Sequence, residues 1–397
     1  MIAYVTRFNP RIFPRPLFFA RAIKDMKIYL LRTLPGHFRD PNSCRVLYEQ
    51  PGYIRQNDQR VGKLIVVRLT SSDISRIINS CYRQDRTYVL SGLAMEFALA
   101  GFISKLEQDV VIIKNVIGAL GAKLAGKRVA IDMMDLWHCE RRDVIFNPLD
   151  YTALRKVDCV IVWSKAIAAL LKRAGLKCIE YLPFGIDLEV FDPKRADIKL
   201  IYEKYPQLEG RVIIGYSGGG HTYHGVHKVL AAYRIIEKRN KDVFLAVQTW
   251  GQNPLISRMI MHLGIRRAVI VQPSVFNDPL RLSLLKASSI LVLPTSKSPG
   301  VYLAERTTMF QFMSTGNAIV AEYSPGSAGV LRNGHNALVA NYGDIHDLAE
   351  KIMFLIKNDK VAEEIGRNAR RDIEEKYNWI ILAKKAKNVI NALLNKR

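Results

Sequence analysis

Short apolar runs alternate with segments of helical spacing along most of this 397-residue chain. The runs are rich in β-branched residues, which favour strands, whereas Leu93–Leu106 and Lys165–Arg173 place apolar residues at helical intervals. We predict strands at Met1–Val5, Leu64–Leu69, Tyr88–Leu90, Val110–Ile113, Arg128–Ile131, Cys159–Val162, Cys178–Leu182, Val212–Gly215, Val243–Val247, Ala268–Val271, Ile290–Leu293, Ala318–Ala321 and Ala337–Val339. Regular exchange of strand and helix is typical of doubly wound parallel sheets, so we expect an α/β protein.

A turn-rich segment divides this alternation into two similar halves. Residues 183–193 contain prolines, a glycine and aspartates, which favour turns over regular structure. The chain is long enough for two domains that each bury a core. We therefore predict a first domain at 1–185 and a second at 190–378, with a C-terminal helix at about 380–397 that packs back on the first.

Composition narrows the class of protein. Hydrophobic residues make up 49% of the chain and charged residues 24%, which are the values of a globular protein. The five cysteines form no C-x-x-C pair, so we expect no disulfide framework or structural zinc, and a cytoplasmic location suits them. No apolar run reaches the roughly 18 to 20 residues that a membrane-spanning helix needs.

The net charge of +23 is unusual, and part of it is concentrated near the N-terminus. Between Met1 and Arg45, nine basic residues stand against two acidic ones. Aromatic residues are interleaved with them at Phe8, Phe13, Phe18, Phe19, Tyr29 and Phe38. This mixture of basic and aromatic residues suits an anionic membrane surface. Nucleic acid phosphates attract the same positive charges. A third alternative is a soluble protein from a lineage whose proteins are rich in basic residues. We favour a peripheral position on the inner face of the cell membrane over nucleic acid binding.

A glycine-rich loop follows the predicted strand at Val212–Gly215 and precedes a helix that begins near Val226. Gly218, Gly219 and Gly220 would let backbone N–H groups approach an anion, and the helix N-terminus favours negative charge. We expect this loop and His224 to contact the phosphates of a ligand.

Three histidines near this loop raise the alternative of a metal site. His221, His224 and His227 are spaced three apart, but no carboxylate or cysteine lies beside them. That spacing crosses from loop to helix, so we expect no metal.

The segment Ser289–Asp344 resembles the donor-binding segment of glycosyltransferase family 4, whose members have the GT-B fold. The family pattern has an acidic residue, a helix ending EAMA-G-PVVA, a small-residue loop and G-NG-LV--GD. The linker Pro183-Phe184-Gly185-Ile186-Asp187 is similar to the family's P-N-G-V-D, and Val157–Ser164 and Asn378-Trp379 match two further motifs. The resemblance covers roughly residues 128 to 390. It implies two Rossmann-like parallel-sheet domains facing a central cleft.

The resemblance also implies roles for residues of the second domain. The family brackets the donor with two acidic residues eight apart, and this chain has Leu303 and Gln311 at those positions, with Glu305 as the nearest carboxylate. Thr308 stands where a subgroup has lysine, and Arg306 is expected to supply the missing charge. Glu305 is the predicted catalytic acid, and Arg306, Thr308 and Gln311 are predicted donor contacts.

The first domain adds a second candidate group after the strand at Arg128–Ile131. Asp135 and His138 are predicted to orient an acceptor hydroxyl or contact the donor sugar, although Asp132 and Asp135 would also suit a helix cap and a polar rim. Members of the family have a Gly-Gly turn after the first strand. Here Arg7, Arg11 or Arg15 would take its place.

These features together predict a glycosyltransferase that needs no cofactor or metal beyond its nucleotide-diphosphate sugar, and the resemblance implies that it transfers the sugar with retention of anomeric configuration. The expected acceptor is a lipid-linked or envelope glycan. The alternative is a catalytically degenerate GT-B protein that binds nucleotide sugar or serves as a partner subunit, because charged residues of the family pattern are absent.

Overall fold

The computed structural model describes residues 1–6, 14–23, 26–33, 46–48, 52–56, 59–69, 88–136, 148–250, 253–272 and 278–395. The chain divides into two compact units. The first unit comprises Met1–Pro183 and Leu382–Arg397, and the second comprises Phe184–Ile381.

The described part of the first unit is built on a nine-stranded sheet. Its strands are β1 Ile2–Thr6, β2 Lys27–Thr33, β3 Val46–Tyr48, β4 Gly52–Gln56, β5 Gln59–Leu69, β6 Val110–Lys114, β7 Arg128–Met133, β8 Cys159–Val162 and β9 Ile179–Tyr181. The order is β3-β5-β2-β1-β6-β7-β8-β9, with β4 also paired to β5. β3 and β4 run antiparallel to β5, and the other pairs are parallel.

Helices connect the parallel strands of the first unit. They are α1 Arg15–Ala22, α2 Tyr88–Ile103, α3 Ala119–Leu124, α4 Pro148–Lys156 and α5 Lys165–Arg173. Every residue of β1 and β6 is buried, as expected of a parallel sheet whose two faces are covered.

The second unit contains a six-stranded parallel sheet. Its strands are β10 Val212–Gly218, β11 Val243–Thr249, β12 Ala268–Val271, β13 Ile290–Leu293, β14 Ala318–Glu322 and β15 Leu338–Ala340, in the order β12-β11-β10-β13-β14-β15. Its helices are α6 Ile198–Lys204, α7 Val226–Arg239, α8 Pro254–His262, α9 Pro279–Ala287, α10 Pro299–Tyr302, α11 Thr307–Thr315, α12 Pro325–Ala328, α13 Ile345–Lys357 and α14 Asp359–Asp372. The last helix, α15 Trp379–Asn395, begins in this unit and continues into the first.

Each sheet has one point at which the direction of strand addition reverses. In the first unit it lies between β1 and β6, and in the second it lies between β10 and β13. Ligands of open α/β sheets bind outside the carboxyl ends of strands at such switch points. We therefore expect ligands to bind at the loops that follow these four strands.

The predicted strand Tyr88–Leu90 is wrong, because these residues form the first turn of α2. The helix that contains them is apolar on nearly all sides, so the run lacks the spacing that distinguishes a buried helix from a strand. The strands β2, β3 and β4 were not predicted.

The aromatic and basic N-terminal segment is not a surface strip where the structure describes it. Arg15, Phe18, Phe19 and Tyr29 are all buried. Their burial removes these four side chains from the surface that a membrane would contact. Most of the other basic residues of the segment, Arg7 and Arg11 among them, lie outside the described residues. Among the helices that are described, none is long and apolar enough to cross a bilayer.

Candidate functional site

The glycine-rich loop of the second unit lies at the switch point, directly after β10. The hydroxyl of Tyr216 donates to the carbonyl of Gly219 at 2.7 Å, and Asn253 Nδ2 donates to the carbonyl of Gly220 at 2.6 Å. Gly225, the N-cap of α7, has a φ of 87°. A Cβ atom on Gly225 would lie 2.8 Å from the carbonyl oxygen of Thr295. The loop is therefore fixed against the segment that follows β13.

His224 packs directly on this loop. A Cβ atom on Gly219 would lie 1.8 Å from the imidazole ring, so only glycine leaves room for it. Tyr223 and Trp250 flank the ring at centroid distances of 4.1 and 5.8 Å. Burial, together with the nearby charge of Arg306, lowers the pKa of His224 to about 3. The imidazole is therefore neutral at physiological pH, and its Nδ1 has no hydrogen-bond partner among the described residues.

Arg306 brings a positive charge to the same loop. Its guanidinium donates to the carbonyl of Pro294 and is hydrogen-bonded to the hydroxyl of Tyr216. Its Nη2 would lie 3.7 Å from a Cβ atom on Gly218. Burial lowers the pKa of Arg306, but an arginine starts so high that the group stays charged.

A small pocket opens beside Arg306 at the carboxyl ends of β13 and β14. It is lined by Leu293, Pro294, Thr295, Ala304, Arg306, Met309, Glu322, Ser324 and Ser327. Arginine, hydroxyl groups and backbone N–H groups at a loop of this kind suit an anionic, hydroxyl-rich ligand.

Glu322 organises this pocket, and the sequence analysis missed it. Both of its carboxylate oxygens accept from Lys228 Nζ, at 2.8 and 2.9 Å. They also accept from the backbone N–H groups of Thr295 at 2.8 Å and Gly343 at 2.9 Å. Lys228 Nζ lies 4.2 Å from the ring centroid of Tyr342. One buried carboxylate therefore joins α7 to the loops after β13 and β15.

The sequence holds a signal for this pair. Glu322 is a charged residue at the end of a fully buried strand, and Lys228 is a charged residue on the buried face of α7. Charges in such places are rarely buried unless they are paired.

Three other predicted residues of the second unit do not line this pocket. Gln311 is fully buried, and its Oε1 accepts two hydrogen bonds from Arg281, at 2.7 and 3.1 Å. Thr308 is buried on the same helix. Glu305 is buried, and burial together with the Glu305 charge raises the pKa of Tyr377 to about 12. The donor and catalytic roles of these residues stay predictions.

In the first unit, Asp132 rather than Asp135 is the centre of a polar cluster at the end of β7. Its carboxylate accepts from Tyr4 at 2.5 Å, from Trp163 Nε1 at 2.6 Å and from Arg15 at 3.3 Å. Asp135 is half-buried, and its charge reaches Lys114. His138 lies outside the described residues.

Comparison with known proteins fits this geometry. Residues 197–372 match the family of glycosyl transferases group 1. The match contains the glycine-rich loop, Arg306 and Glu322, so the pocket described above lies within the residues that match this family.

Two relatives of known sequence are named glycosyltransferases. The uncharacterized glycosyltransferase MJ1069 of Methanocaldococcus jannaschii is 24% identical over 244 residues, which cover 61% of this chain and 60% of that protein. The capsular polysaccharide biosynthesis glycosyltransferase CapM of Staphylococcus aureus is 24% identical over 213 residues, which cover 53% of each. The chain thus spans less than two thirds of the length of either relative.

A solved structure shares the fold over the whole chain. Anabaena Alr3699/HepE in complex with UDP-glucose superposes with a TM-score of 0.72 at 13% identity, covering 99% of this chain and 100% of that one. The likeness confirms the predicted GT-B fold class with two α/β units, although the first sheet is mixed because β3 and β4 run antiparallel to β5.

Proposed function

We propose that this protein is a glycosyltransferase that uses a nucleotide-diphosphate sugar and transfers the sugar with retention of anomeric configuration. The observation that carries the proposal is the position of Arg306 against the Gly218–Gly220 loop, at the switch point of the second sheet. The solved neighbour in complex with UDP-glucose supports this class of donor.

The site suits stabilisation of the leaving diphosphate. Arg306 contributes a fixed positive charge, and the glycine loop contributes backbone N–H groups beside the N-terminus of α7. His224 is neutral, so it would donate one N–H to a phosphate oxygen without adding charge. None of these roles needs a metal ion.

We extend the proposal to the acceptor, which we take to be a lipid-linked or envelope glycan. A relative named for capsular polysaccharide biosynthesis supports this class. Peripheral attachment to the inner face of the membrane is tested by co-sedimentation with anionic vesicles at physiological salt. Absence of binding there would contradict it.

A second candidate function is nucleotide-sugar binding without transfer. It is favoured by Gln311, which replaces an acidic residue of the family pattern. The Oε1 atom of Gln311 accepts two hydrogen bonds from Arg281. Saturable binding of a nucleotide sugar, with neither hydrolysis nor transfer across a donor and acceptor panel, would support this candidate over the first.

The test of the main proposal combines binding and turnover. Thermal shift with a panel of nucleotide sugars identifies the donor, and release of nucleoside diphosphate measures turnover. His224→Ala and Arg306→Gln should each reduce kcat about 100-fold, the usual loss when one donor to developing charge is removed. Arg258→Gln, an exposed arginine of the same unit, serves as the matched control. Unchanged turnover in both site variants would contradict the assigned phosphate contacts.

A further inference from the structure

The first unit has a switch point of its own, and two buried polar side chains lie there with unused hydrogen-bond donors. Lys114 is the last residue of β6, and Asn115 follows it. Neither residue was singled out in the sequence, and neither belongs to the glycosyl transferases group 1 match. Both lie at the edge of the sheet where ligands of this fold bind.

Lys114 is buried without a hydrogen bond to any described residue. Its side chain is 4% exposed, and its Nζ lies 3.7 Å from Asp132 Oδ2 and 3.5 Å from the ring centroid of Trp163. Asp132 already accepts shorter bonds from Trp163, Tyr4 and Arg15. The ammonium group of Lys114 is therefore held by the charge of Asp132 and by the Trp163 ring, without a short hydrogen bond to any described residue, and its N–H donors remain available to a further group.

Asn115 also has a buried N–H donor that makes no hydrogen bond to a described residue. Its Oδ1 accepts from the backbone N–H of Met134 at 3.3 Å, which fixes the orientation of the amide. Its Nδ2 is buried and has no acceptor among the described residues. Asn115 is also the non-glycine residue with a positive φ, 60°, in the part of the chain that the structure describes. Such backbone strain occurs most often at functional sites.

The unused hydrogen-bond donors of this cluster, rather than its net charge, favour a ligand rich in acceptor oxygens. The fully buried groups are the cations Arg15 and Lys114 and the single carboxylate of Asp132. Asp135, half-buried at the end of β7, supplies the other carboxylate whose charge reaches Lys114. An ammonium and an amide N–H next to each other match the oxygens of a phosphate, which Lys binds as a point charge.

We propose that the carboxyl end of β6 is a second binding site, which takes a phosphate group through Lys114 Nζ and Asn115 Nδ2. The phosphate is either free or carried by a sugar. Only the second case rests on the proposed transferase function, where the phosphorylated sugar would be the acceptor.

The indole signals of the tryptophans allow a test specific to this site. Trp163 lies beneath Lys114, whereas Trp250 lies beside His224 in the second unit. In 1H–15N spectra of the full chain, inorganic phosphate should move the Trp163 indole signal saturably, with the assignment made by Trp163→Phe. UDP should move the signal of Trp250 instead. Failure of the nucleotide response would contradict the proposed function and leave the second site standing.

Three variants and a control separate a binding role from a structural one. Lys114→Met and Asn115→Asp should each weaken phosphate binding about tenfold or more, since a charged hydrogen bond is lost. Asn115→Asp keeps the acceptor for Met134 and tolerates the positive φ, and Asn115→Gly keeps the backbone without the amide. Lys105→Met, an exposed lysine of the same unit, should bind like the parent.

Two outcomes would overturn the proposal. One is absence of a saturable Trp163 shift with phosphate in the folded parent protein. The other is equal affinity in the parent and in Asn115→Asp and Lys114→Met. Titrations with glucose 6-phosphate and with inorganic phosphate, with glucose as the control that lacks phosphate, distinguish the two sources of the phosphate group. Tighter binding of glucose 6-phosphate than of inorganic phosphate, followed by the Trp163 signal, assigns the site to a phosphorylated sugar. Equal binding of the two assigns it to free phosphate.

Discussion

At the scale of single residues, several buried polar side chains of this protein are held by hydrogen bonds or ion pairs with other buried groups. Gln311, a predicted donor contact from its place in the family pattern, accepts hydrogen bonds from the buried Arg281. Glu322 had no predicted role, but it joins three segments of the pocket. The spacing of residues in the sequence places a side chain on a helix or a strand. The hydrogen-bond partner of that side chain lies elsewhere in the chain, so the spacing does not identify it.

Removal of the Glu322 carboxylate should be strongly destabilising. Glu322→Ala leaves Lys228 charged and buried without its partner, which typically costs about 3 to 5 kcal/mol. Glu363→Ala removes an exposed ion pair with Arg367 in the same unit and should cost about 0.5 kcal/mol or less. Urea unfolding of both variants measures the difference. Similar losses in the two would show that Lys228 finds another partner or water.

Lys114 should make stability depend on pH. Burial lowers its pKa to about 7 in the folded protein, whereas the unfolded chain has the ordinary value near 10.5. Between these values the unfolded state binds the extra proton, so this group's penalty on folding grows as pH falls from about 10 to 7 and is constant below. Lys114→Met lacks the penalty.

The free energy of unfolding of Lys114→Met relative to the parent should therefore be highest near pH 7 and decline towards pH 10. Urea unfolding across this range, in buffer without phosphate, measures it. Lys105→Met supplies the flat baseline. A relative stability of Lys114→Met that does not vary with pH would contradict the pKa shift.

At the scale of elements, the site depends on close contact between loops at the ends of strands. Gly225 begins α7 with a positive φ and touches the segment after β13. Gly316 ends α11 in the same left-handed conformation. The first glycine positions the pocket, and the second only ends a helix.

Substitution of Gly225 should damage the pocket beyond the backbone strain itself. Gly225→Ala meets the Thr295 carbonyl at 2.8 Å, whereas Gly334→Ala has a similar φ of 73° and open space around it. Each should lose about 1 kcal/mol from the φ, and Gly225→Ala about 1 to 3 kcal/mol more from the contact. Thermal unfolding and nucleotide binding measure both. Equal effects would show that the Thr295 segment moves aside.

At the scale of the whole molecule, the chain returns to its first unit after completing the second. Residues of α15 from Leu382 onward belong to the first unit, where Arg128 donates to the carbonyl of Leu394 at 2.5 Å. Ala386, Ile390 and Leu393 are buried. The first unit is therefore built from both ends of the sequence.

Deletion of residues 382–397 should destabilise the first unit selectively. Loss of several buried apolar side chains removes about 1.5 to 3 kcal/mol for each from the stability of the unit that they cover. We expect the unfolding of the first unit, followed by the indole signal of Trp163, to shift to lower urea. The Trp250 signal of the second unit should keep its midpoint. A parallel shift of both signals would show that the units unfold together.

The amino-acid sequence by itself determined most of the strands and the class of fold, because the period and length of apolar runs are local properties. Such patterns correctly assigned strands at Val212–Gly215 and Ile290–Leu293 and a helix at Lys165–Arg173. It also located the glycine-rich loop, since glycine clusters are visible in one dimension.

Only the tertiary structure decided which polar residues surround that loop. Arg306, Glu322 and Lys228 are separated by up to 94 positions and meet because parallel strands end at one edge of the sheet. The burial of Arg15 and the unused donors of Lys114 and Asn115 likewise depend on neighbours that no local pattern encodes. Hydrogen-bond satisfaction is a property of the folded interior, so the chemistry of this site could be read only there.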